Sequence, residues 1–117
     1  MSGARGEATI QVGEREVRVL FTNRALAEVE GQLKRSIIAI AQGFGDGTSG
    51  ITETAHLLRA GMEAARRDAG EGGPAVSITR AFEVLEEAGF ALTVTAVCEA
   101  VAAVLGYGAG EPEPKNG

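Results

Sequence analysis

From Glu7 to Phe21 the chain alternates apolar and polar residues. Ala8, Ile10 and Val12 face one way and Glu7, Thr9 and Gln11 the other, and after Gly13-Glu14 the alternation resumes with Val17, Val19 and Phe21 on one side. A period of two with a single break predicts a β-hairpin with one buried face. Gly13 can take the positive φ required at the first central position of a type II′ turn, so two residues suffice to join the strands. At Asn23 the period changes. Asn23 offers a side-chain oxygen to the orphan N–H groups of a helix. Leu26, Val29, Leu33, Ile37 and Ile40 then recur at steps of three and four, which is one helical stripe. Gly31 weakens this helix, and Ser36 is placed to restart it as a short second one.

The stretch Gly43–Gly50 carries four glycines in eight positions. That is too much backbone entropy for a helix interior, and the segment reads as a flexible loop. Helical spacing returns with Ile51, Ala55, Leu58, Met62 and Ala65, with Thr52 as N-cap and Gly70 as C′ residue, before Gly72-Gly73-Pro74 breaks the chain. Ser77 opens the next helix. Its apolar face is Ile78, Ala81, Phe82, Leu85 and Ala88, its wet face Glu83, Glu86 and Glu87, and Gly89 ends it. Thr93 caps a last helix in which Val94, Val97, Cys98, Val101 and Leu105 line one side and Gly106 closes the end. Residues 1–6 and the Gly/Pro/charged tail 107–117 have almost nothing to bury and are expected to be disordered. The pattern predicts one α+β domain over 7–106, an N-terminal β-hairpin packed on a bundle of about four α-helices.

At 117 residues the chain is long enough to bury roughly two thirds of its unfolded surface in one core. Its single cysteine excludes an intramolecular disulfide. There is no charged-then-apolar leader and no apolar run of about 18 residues, so a cytoplasmic protein without a membrane partner is expected. A net charge of −5, 4% aromatic residues and no Trp argue against nucleic acid as a partner, which calls for concentrated Lys and Arg and for stacking platforms.

The residues that carry chemistry are sparse. His56 is the only histidine and Cys98 the only cysteine, on different predicted helices, and Cys98 sits on an apolar stripe as a small core residue would. One histidine is too few for zinc. The glycines at 43, 45, 47 and 50 lack the Lys-Ser/Thr of a phosphate loop, since Ile51-Thr52 follows Gly50, and Asp46 alone cannot build an EF-hand calcium site. Glu83, Glu86 and Glu87 read as a solvated helix face. No catalytic, cofactor or metal residue is assigned, and no enzyme activity is expected. Surfaces remain. Ile37, Ile38 and Ile40 span more than one narrow stripe, so part of that face is available to a partner, and Ile37, Ile38, Phe44 and Val94 are the candidate contacts.

Two stretches carry a family resemblance. Glu7–Thr22 runs directly into Asn23-Arg24-Ala25-Leu26-Ala27-Glu28-Val29-Glu30, similar to a strand followed by an N-A-L-A-E-L-E helix start, and Ser77–Gly89 is similar to a T-L-x-x-A-x-x-L-I-D-E-A-G helix. Between them, Leu57-Leu58-Arg59-Ala60-Gly61-Met62 is similar to an L-L-W-A-G-L segment, with Arg59 in place of the aromatic residue. In these motifs and in element order the chain resembles the small tail assembly chaperones of long-tailed phages, in particular the gene-transfer-agent group. The Gly43–Gly50 segment is longer and richer in glycine than that family leads one to expect.

The resemblance implies a protein without an active site or cofactor. It implies one that binds the tape-measure protein in the host cytoplasm, helps recruit tail-tube subunits and is lost from the mature particle. Proteins of this group also carry the label tail-tube protein. Tube subunits are dominated by β-structure, and the helical periodicity of this chain argues against that role. The rival expectations are a structural tail component, which would be present in purified particles, and a small enzyme or ligand-binding module. An open hairpin edge would also allow copies to associate, with Arg15 and Arg18 placed to blunt it.

Overall fold

A computed structural model describes residues 6–106; the expected disorder of residues 1–5 and 107–117 falls outside them. The fold is α+β. Strands β1 (Glu7–Val12) and β2 (Arg15–Leu20) form an antiparallel hairpin, followed by helices α1 (Asn23–Leu33), α2 (Ile37–Asp46), α3 (Ile51–Asp68), α4 (Ile78–Ala88) and α5 (Phe90–Leu105). The register pairs Val12 with Arg15, which leaves Gly13-Glu14 as a two-residue turn. Gly13 has φ +62°, whereas Glu14 is not among the positive-φ residues. That combination fits the type II′ turn and excludes type I′, which needs positive φ twice.

The alternating residues do what their period requires. Ile10, Val12, Val17 and Val19 are buried, and Phe21, one residue beyond β2, is 1% exposed. The hairpin lays this face on α3 through β2 and on α5 through β1. Gly61 is why α3 fits so closely: a Cβ there would stand 2.8 Å from Phe21 Cζ and 2.9 Å from Val19 Cβ. Gly6, expected in the disordered N-terminus, is instead buried, and its carbonyl accepts the Phe21 N–H at 2.7 Å. This bond extends the ladder by one pair beyond the paired strands.

Several caps move by one to four residues. The N-cap of α1 is Thr22, whose Oγ1 accepts the Ala25 N–H at 3.0 Å, and Asn23 is the first helical residue. Ser36 does restart the chain, its Oγ accepting from Ala39, which makes five helices among the described residues. The break itself is Lys34, in the left-handed region at φ 58°. The N-cap of α3 is Gly50, not Thr52. Glu53 reaches back to accept the Gly50 N–H at 2.7 Å, the return half of a capping box. Ser77 caps α4 and Gly89 ends it as expected, but α5 begins immediately at Phe90 and Thr93 lies buried inside it. A single glycine at φ 94° makes the whole connection.

The largest departure is the glycine-rich stretch. Residues 43–46 are the last turn of α2, and only 47–50 connect to α3. Gly43 is buried, and a side chain there would run into the Ser49 and Thr48 hydroxyls. Its carbonyl accepts N–H groups from Gly47, Thr48 and Ser49 at 2.9, 3.0 and 3.1 Å. Arg35 fastens the same turn through the Thr48 carbonyl, the Ser49 hydroxyl and Glu53. These bonds offset the entropy that composition alone assigns to the segment.

Candidate functional site

Helix α2 carries Ile37, Ile40, Ala41 and Phe44 at i, i+3, i+4 and i+7, and α5 carries Cys98, Val101, Ala102 and Leu105 at the same spacing. The two stripes face each other across a groove of about 220 Å³ whose remaining lining residue is Leu57 of α3. Ile40, Leu57 and Val101 of this lining are fully buried and belong to the main core. Cys98 is the one titratable lining residue, and burial raises the pKa of its thiol. A volume this small falls below the roughly 300–1,000 Å³ of small-molecule pockets. It suits one or two apolar side chains projecting from a helix laid along the stripes.

Of the sequence-derived contacts, Ile37 and Phe44 line this groove. Ile37 is 8% exposed and belongs to its floor, while Phe44 is half-buried. Ile38 is 36% exposed and, like the half-buried Val94, is not among the lining residues. The four therefore do not form one patch. Ile38 follows Ile37 by one residue, and about 100° of helical rotation carries it to another face.

Other residues stand where sequence reasoning did not put them. Phe82, assigned to the apolar face of α4, is 38% exposed, and Val84, not assigned to that face, is fully buried alongside Ala81. Ile51, assigned to the core stripe of α3, is 59% exposed. Phe90 and Leu92, which precede the cap expected at Thr93, are exposed on the first turn of α5. Period alone finds a stripe but not its edges, and these residues sit at edges or ends.

The polar side chains play mainly structural parts. His56 Nδ1 lies 3.2 Å from Gln32 Oε1 of α1, and His56 does not line the groove that holds Cys98. Glu63, 3% exposed, accepts from Arg66 at 2.8 and 3.0 Å, from Arg67 at 2.8 Å and from the Val76 N–H at 2.9 Å. Foremost the Arg66 hydrogen bonds, then the Val76 N–H and Arg67, hold its carboxyl at about 2. Arg59, at the position where the resembled family has an aromatic residue, is buried and donates to the Val76 carbonyl at 3.3 Å. Its Nη2 lies 3.3 Å from Glu28 Oε1. Arg15 pairs with Glu87 of α4, and Arg18 with Asp68 of α3. These two arginines thus tie the hairpin to the helices.

Among the described residues no group of three or more His, Cys, Asp or Glu could hold a metal ion. No single described helix is long and apolar enough to cross a membrane, and α4 with α5 reaches that length only as a pair bent by 116°. Compared with known proteins, the chain matches no family model, no curated protein and no solved structure.

Proposed function

We propose that this protein is a non-enzymatic tail assembly chaperone that binds the tape-measure protein of a phage or gene-transfer agent in the host cytoplasm and assists assembly of the tail tube around it. The observation that carries the reading is the groove between α2 and α5. Its two stripes repeat at helical spacing with no charged side chain between them, the arrangement that receives the i, i+3, i+4, i+7 anchors of an amphipathic helix. The motif resemblance at Asn23–Glu30 and Ser77–Gly89 names that helix as part of the tape measure. Several copies spaced along one long tape measure would mask its apolar face, and the weak grip of each groove would be multiplied by their number.

Co-expression with the tape-measure gene from the same genome tests this. The tape measure should become soluble and co-purify with the chain; a tape measure that stays insoluble and unbound contradicts the proposal. The second reading, a structural tail component, predicts many copies of the chain in purified particles, whereas a chaperone is absent from them by mass spectrometry.

A further inference from the structure

Away from the α2–α5 groove, Ile51, Phe82 and Phe90 meet around a depression of about 350 Å³ at the elbow where α4 turns into α5, with Leu85, Glu86 and Gly89 completing it. These are three of the five large apolar side chains most exposed among the described residues. A fourth, Leu92, follows Phe90 on the same first turn. Single exposed apolar residues are ordinary, but a cluster from three helices around one depression is not.

Its charge states what fits. Glu86 is the only charged lining residue. On the same helix Glu83 is taken by Arg80 at 3.1 Å and Glu87 by Arg15 at 3.2 Å. Glu86 has no ion pair among the described residues. The first N–H groups of α5 have no side-chain cap, but a helix N-terminus carries only about half a positive charge, less than the full negative charge of Glu86.

We propose that the α4–α5 elbow is a second docking surface, taking a peptide segment that inserts apolar side chains among Ile51, Phe82 and Phe90 and sets a Lys or Arg against Glu86. The surface is independent of the α2–α5 groove and of the identity of the groove's ligand. A chain with both could hold two segments at once.

The test uses two synthetic amphipathic helical peptides with identical Leu and Phe positions, one with Lys and one with Glu flanking the apolar stripe. Each is titrated into the full ¹⁵N-labelled chain, with affinity from calorimetry. The Lys peptide should shift the amides around Ile51, Glu86 and Phe90 and bind at least about tenfold tighter than the Glu peptide, since mismatched charge discriminates strongly. Glu86→Lys should reverse that order. Phe90→Ser should weaken both peptides, and because Phe90 is exposed the fold should persist, as an unchanged far-UV spectrum would show. The proposal is overturned if the two peptides bind equally, if Glu86→Lys leaves their order unchanged, or if the shifts fall only on α2 and the last turns of α5. It is also overturned if sedimentation shows that copies of the chain pair through this surface and Phe90→Ser abolishes the pairing.

Discussion

Among the described residues, Glu63 concentrates more hydrogen bonding than other carboxylates, clamping α3 to the connection that precedes α4. Its folded carboxyl stays ionised down to about 2, against 4.5 ordinarily, so the clamp contributes fully above pH 4.5 and fades as pH falls toward 2. A shift of this size corresponds to about 3 kcal/mol. Glu63→Gln should lower stability at pH 7 by about 2–3 kcal/mol in urea unfolding, and should flatten the loss of stability that the wild type shows between pH 5 and 2. Gly61 gives the complementary case. Gly61→Ala raises helix propensity by up to about 1 kcal/mol, yet its Cβ meets Phe21 and Val19 inside 3 Å. Overpacking of about 1–3 kcal/mol should win, visible as a lower Tm. Neither residue announces its role in the sequence. A Glu three and four residues before two arginines reads as a surface pair, and a helical glycine as a weak point, because both roles are set by partners distant along the chain.

At the scale of elements, the hairpin and the starts and ends of most helices are legible, since period and turn chemistry are local. Glycine content does not by itself decide local structure at 43–46. The glycines at 43 and 45 sit in a helix because the following turn needs the space at Gly43 and returns three hydrogen bonds to its carbonyl. The break between α1 and α2, by contrast, depends on Lys34, a non-glycine residue at φ 58°, which costs roughly 1 kcal/mol. Lys34 is exposed, so Lys34→Gly should relieve that strain and stabilise the chain by about 0.5–1 kcal/mol in thermal or urea unfolding, without altering helix content by circular dichroism. The start of α5 carries no local signal, for a related reason. Phe90-Ala91-Leu92 lacks a capping side chain, and Gly89 replaces a loop with a single backbone turn.

For the whole molecule, the sequence pointed to half of the groove. Ile37 and Phe44 lie on α2, whereas the opposing stripe on α5, whose Val101 is also core, comes to face α2 only through tertiary packing. The elbow surface was hidden outright, because Phe82 and Ile51 fit core stripes by spacing and only the packed structure shows them exposed. The function proposed therefore rests on a surface, and a substitution that fills it is the most direct probe. Ala41 is half-buried and lines the groove, so Ala41→Trp places an indole between the stripes while leaving the hairpin–α3 core alone. The decisive measurement is the affinity of this variant and of the wild type for the tape-measure protein, with Tm measured alongside. Retained folding with at least about tenfold weaker binding is the predicted result, given that loss of one anchor site of a helix-in-groove contact is worth a kcal/mol or more; unchanged affinity in a folded Ala41→Trp protein would contradict the account.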